Sequence, residues 1–336
     1  MLAVLIALTN GCEQISDRLP VAACSESTTS VVRVSTTGTD ATDMQESIQA
    51  LAGIMMRSKI PVVVQASGLL QLQSLGLDQQ PEMVKYGKSL TALRAIDGSN
   101  IYLLADEAPD VGLPTDDAFM EDPDAIVLLV QTKRLGVEQE VAAAMSDWIP
   151  DSTVESVGGG WYWVKPKGVT RALGDGSVSS ADALEAALAS VPQSSVTIGL
   201  RMTESMRESV ADGLEEDGGM LTAALAGFED SMKLLQTASV GLQFGSKPEI
   251  RAALTFENET AAQEFNESWA STTRSLTSML GMMMVAQASE DEEGEDAPPP
   301  IDMRMFSGMA EALAMKQDKR QLSLVIDDAG WRKLLP

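Results

Sequence analysis

The chain opens on an unbroken apolar run, Leu2 to Leu8, and then settles into short alternating stretches separated by longer apolar stripes. After a Ser/Thr-rich linker, Ser25 to Ser30, the run Val31 to Val34 predicts a strand. Asp40 reads as the N-cap of a helix carrying Met44, Ile48, Leu51 and Met55 on one face, and Pro61 followed by three valines resumes as a strand. Leu90 to Ile96 and Ile101 to Leu104 flank Asp97-Gly98-Ser99, the signal of a hairpin.

Ala125 to Thr132 has the continuous apolar pattern of a buried strand and is followed by an amphipathic helix through Val137, Val141 and Met145. Thr153 to Val157 and Trp161 to Val164 read as strands around Gly158-Gly159-Gly160, Ser180 to Ser190 as a helix, and Val196 to Met202 as a closing strand. That β-α-β-β-α-β order is the order of a ferredoxin-like unit. The C-terminal part repeats it. A helical region runs from about Glu204 to Leu235 with a break at Gly218-Gly219. Val240, Leu242 and Phe244 then pair with Ile250, Ala252, Leu254 and Phe256 across Gly245 to Pro248. Ala262, Phe265, Trp269, Leu276, Met279 and Met283 form a core-facing helical stripe; a helix around Met303 to Lys316 leads into a last strand, Leu322 to Ile326.

Short strands paired as hairpins between long helices predict an α+β fold of two lobes, each of largely antiparallel sheet with long packed helices and built on repeated ferredoxin-like βαββαβ units. The division expected is a leader and linker at 1–30, an N-terminal lobe at 31–191 and a C-terminal lobe at 192–336. Within the second lobe, Ser289 to Pro300 (SEDEEGEDAPPP) concentrates like charges and prolines and reads as a disordered loop.

Composition narrows the chemistry. With 336 residues the chain has enough length for a core that needs neither disulfide nor metal. The net charge of -25 argues against nucleic acid as a partner, because such binding rests on neutralising phosphates. The chain contains no His, which removes Ser-His-Asp and Cys-His nucleophiles, HExxH sites and haem ligation by His. SxxK and GxSxG are also missing from the sequence.

Leu2 to Leu8 is too short to span a bilayer and matches the apolar core of an export signal. Gly11-Cys12 behind it resembles the lipobox of bacterial lipoproteins, in which the Cys is acylated and becomes the mature N-terminus. Thr9 stands where that pattern prefers Leu. Val21-Ala22-Ala23-Cys24 fits the four-residue pattern better but is separated from the apolar run by the polar residues Glu13 to Arg18. Cys12 is the lipidation candidate, with a Cys12 to Cys24 disulfide as the competing use of the two thiols.

The remaining constellations are more ordinary. The acidic group Asp116, Asp117, Glu121, Asp122 and Asp124 lacks the Gly-turned ligand order of an EF-hand. Gly174-Asp175-Gly176-Ser177 and Gly158-Gly159-Gly160 read as turns, not phosphate cradles. Trp161 and Trp163 share a strand face and are expected in the core. The methionine rows Met279, Met282, Met283, Met284 and Met303, Met305, Met309, Met315 read as core filler without a Cys or His to complete a copper site. Asn258 and Asn266 match glycosylation sequons by coincidence of helix position.

Ala95-Ile96-Asp97-Gly98-Ser99-Asn100-Ile101-Tyr102-Leu103 and the Val240 to Phe256 hairpin resemble uncharacterised predicted exported, lipoprotein-like proteins of planctomycete-type bacteria, a similarity of pattern spanning about residues 60 to 290. The resemblance implies no activity and transfers no functional residue. The expectation is a non-catalytic binding or structural protein of the cell envelope, exported to the periplasm or outer membrane and lipid-anchored through Cys12. Its partner would be a protein or other envelope component, the membrane would be met only through the N-terminal anchor, and no catalytic, cofactor-binding or metal residue is assigned and no cofactor expected. The alternatives are a carboxylate-dependent, glycosidase-like exported hydrolase, which needs two facing carboxyl groups, and a metal-handling protein.

Overall fold

The computed structural model describes residues 17–39, 42–43, 46–47, 50, 81–106, 123–174, 176–192, 194–216, 227–290 and 304–334. The chain divides into two units, one of Met1–Gln45 with Gly76–Arg201, the other of Glu46–Leu75 with Met202–Pro336. The fold is α+β, and the strand pairings within each unit are antiparallel. Asp40, Met44, Ile48, Leu51, Met55 and the strand expected at Pro61 lie outside the described residues.

Unit 1 begins with a 3-10 turn, Val21–Ala23, and the strand β1, Thr28–Ser35. The stretch expected as a linker is therefore structure: Thr28, Thr29 and Ser30 are strand residues and buried. Thr is β-branched, and a hydroxyl can enter a sheet when it has an acceptor, which Thr28 finds at 2.7 Å on Asp106.

Helix α1, Pro81–Ala95, overturns the hairpin expected at Asp97. Leu90 and Leu93, both fully buried, stand three residues apart on one helix face, and Ala92, Arg94 and Ala95 around them are good helix formers. The helix ends as Ile96 and Asp97 donate back to Leu93 and Arg94, with Asp97 at φ 58. The close approach of the next residue requires glycine, since a Cβ on Gly98 would sit 2.8 Å from the Leu93 carbonyl oxygen. Asp97-Gly98 is thus a helix-to-strand turn into β2, Gly98–Asp106.

The remaining elements of unit 1 follow the apolar pattern: β3, Ile126–Thr132; α2, Glu138–Met145; β4, Thr153–Gly158; β5, Trp161–Lys165; α3, Val178–Ser190; and β6, Val196–Arg201. Gly158, Gly159 and Gly160 all take positive φ in the turn between β4 and β5. Every residue of β3 is buried, which requires cover on both faces of the sheet. One face packs Leu104, Val127, Leu129, Trp161 and Trp163 under α3 and the segment Leu19 to Cys24. The other packs Ile101, Leu128, Val130 and Tyr162 under α1 and α2. Trp161 and Trp163 are accordingly core residues.

The strand order is β4-β5-β3-β2-β1-β6. The sequence β3-α2-β4-β5 has the order of half a ferredoxin-like unit, but β6 pairs with β1, and the β1–β2 pair stands between β6 and β3. Moreover α2 and α3 lie on opposite faces, so the expected ferredoxin-like unit does not form.

Unit 2 contains α4, Glu204–Glu216; a single turn α5, Glu229–Met232; β7, Leu235–Gln243; β8, Glu249–Phe256; α6, Glu259–Glu290; α7, Arg304–Ala312; β9, Lys316–Asp318; β10, Gln321–Ile326; and α8, Asp328–Leu334. The β7–β8 hairpin pairs Val240 with Ala252 and Leu242 with Ile250, and its loop turns at Gly245 with φ 113. Asn258 caps α6 by accepting the Ala261 N–H at 2.9 Å. Phe265 on that helix meets Phe228 and Phe256 at ring-centroid distances of 4.7 and 5.3 Å, the aromatic centre of the unit. Helix α6 continues through Ser289 and Glu290, the first two residues of the expected acidic loop; the rest of that loop lies outside the described residues. Because β10 pairs with β8, the strand following the long helices extends the hairpin at its β8 side, and no second ferredoxin-like unit is built.

Candidate functional site

In unit 1 a set of interacting polar side chains surrounds the N-terminal segment where it crosses the sheet. Leu19, Ala23 and Cys24 are buried against Leu184 and Leu188 of α3 and the strand residues beneath. Backbone contacts hold the segment down: Leu19 donates its N–H to Glu185 at 2.6 Å, and the Cys24 carbonyl accepts from Ser177 at 2.6 Å. Ser177 is also the N-cap of α3, its hydroxyl accepting from the Ser180 N–H at 3.3 Å. Gly176 lets the two backbones meet, since its Cβ position is already filled by the Val21 carbonyl. The Gly174 to Ser177 turn is therefore a docking point for the segment.

At one end of the sheet Asp106 accepts from Ser25 and Thr28 hydroxyls at 3.0 and 2.7 Å on one oxygen and from Arg171 at 3.0 Å on the other. The ion pair is only 16% and 20% exposed at its two side chains. Arg171 also donates from its guanidinium to the Asp124 carbonyl at 3.0 Å and from its backbone to the Asp124 carboxylate at 2.9 Å. At the other end Gln131 accepts from Asn100 and Ser99 at 2.9 and 3.0 Å and donates to Asp17 at 3.4 Å, while Arg33 donates to Thr197 at 2.8 Å.

Two titratable groups under the segment, the Cys24 thiol and the Tyr102 phenol, are held in their neutral forms. Burial pushes the Cys24 thiol from 9.0 up to about 12, reinforced by the Glu185 and Asp106 carboxylates and opposed by Arg171. Burial likewise pushes Tyr102 up to about 12, against the pull of Arg33. Neither group is a nucleophile or base at neutral pH. The arrangement clamps a chain segment; its polar atoms are spent on one another and on backbone.

Asp124 is the one member of the expected acidic group within the described residues; Asp116, Asp117, Glu121 and Asp122 lie outside them. Its carboxyl is held below its ordinary value, first by the Thr170 hydroxyl and then by the Arg171 backbone N–H. That is the direction opposite to a general acid. A depressed carboxyl contributes stability that is present above its unfolded value and lost as pH falls through the folded one. Asp124→Asn should therefore flatten the acid limb of the stability-versus-pH curve below about pH 4 while leaving the neutral plateau with the same shape, as read by urea unfolding at stepped pH.

In unit 2 an open cavity of about 300 Å³ is lined by Glu311 of α7, Lys316 of β9, Val325 of β10, Asp327 just after it, and Lys333 of α8. Its carboxylates are also engaged: Glu311 accepts from Lys333 at 2.9 Å, and Asp327 caps α8 by accepting the Gly330 N–H at 2.9 Å. Among the described residues no three Asp, Glu or Cys side chains gather as a metal site, and no helix is long and apolar enough to cross a membrane.

The lipidation candidate Cys12 lies outside the described residues. Cys24 is a free thiol, fully buried together with Leu19 and Ala23. Asp106, Arg171, Glu185 and Gln131 were not distinguishable in the sequence from other charged and polar residues. Comparison with protein-family models, curated proteins and solved structures finds no match.

Proposed function

We propose that the protein is a non-catalytic binding or structural component of the cell envelope, exported and held at a membrane by an acyl group on Cys12. The observation that carries this reading is the apolar run Leu2 to Leu8 followed by Gly11-Cys12, five residues ahead of a segment built into unit 1. An anchor there would hold the folded body on a short leash. The neutralised Cys24 and Tyr102 and the fully engaged Asp106 support a scaffold more than a catalyst. Its ligand would be another protein or an envelope component. Intact-mass and N-terminal peptide spectrometry of protein recovered from bacterial membranes should give a mature chain beginning at diacyl- or triacyl-Cys12. An unprocessed Met1, or a chain with a free Cys12 thiol in the soluble fraction, would overturn the reading.

A further inference from the structure

We draw no further inference here: the strongest candidate, the open cavity of about 300 Å³ in unit 2 between α7, β10 and α8, has its Glu311 carboxylate engaged by Lys333 and its Asp327 carboxylate by the Gly330 N–H, and nothing in the structure shows what would cover it.

Discussion

Gly176→Ala is expected to lift the N-terminal segment off unit 1 and to destabilise the unit by more than about 3 kcal/mol. The added Cβ falls onto the Val21 carbonyl and within 2.9 Å of the Ala22 nitrogen, and both obstacles are backbone, which has no flexible end to swing away. Relief requires the segment to move, and that exposes Leu19, Ala23 and Cys24 while breaking the contacts to Glu185 and Ser177. Burial of one leucine alone is worth roughly 1.5–3 kcal/mol. Two readouts separate this from a general loss of fold. The urea midpoint should drop, and Cys24, buried in the native protein, should become reactive to thiol reagents at neutral pH under conditions where circular dichroism remains native-like. Gly174→Ala is the matched control, because its Cβ meets nothing within 4 Å, and it should stay within about 0.5 kcal/mol of the parent. If Gly176→Ala unfolds like the parent with Cys24 still protected, the docking of the segment contributes nothing.

That contact was invisible in the sequence for a physical reason: it joins residues more than 150 positions apart through backbone atoms, and the glycine that permits it reads as an ordinary turn residue. Local patterns were more legible. Ile126 to Thr132 was readable as a buried strand because an apolar run with β-branched residues suits a doubly covered strand. The β7–β8 hairpin was readable because both strands and the Gly-containing loop lie within 22 consecutive residues, Leu235 to Phe256. Leu90 to Ile96 misled because a seven-residue window with apolar residues three apart is compatible with either period; only the helix beginning at Pro81 resolves it. Ser25 to Ser30 misled because burial of hydroxyls depends on an acceptor supplied from afar, here Asp106. The ferredoxin-like order failed at the level of pairing, since a β-α-β-β-α-β succession fixes the sequence of elements but leaves open whether a further strand pair comes between the first and last. Of the candidate site residues, Cys12 stands on motif alone, whereas the clamp around Cys24 is a product of tertiary contact.

Trp163→Ala should be the most damaging single core substitution in unit 1, at about 3–5 kcal/mol. Trp163 is 1% exposed, lies opposite Leu129 in the sheet, and carries the Lys165 ammonium 4.9 Å above its ring. Lys165 in turn donates to the Arg171 carbonyl at 3.2 Å, so the indole also supports the strand of contacts that ends at Asp106. Yet the indole N–H is buried without a partner, and an orphaned donor costs about 1–3 kcal/mol. Trp163→Phe removes that donor together with part of the ring. It should therefore cost clearly less than Trp163→Ala, and less than Trp161→Phe, whose ring packs on Tyr102 at 4.8 Å. Urea unfolding of the three variants gives the order directly. A Trp163→Phe variant as unstable as Trp163→Ala would mean that the N–H meets an ordered water in solution, and the stability of β5 would then rest on a polar contact as well as on the ring.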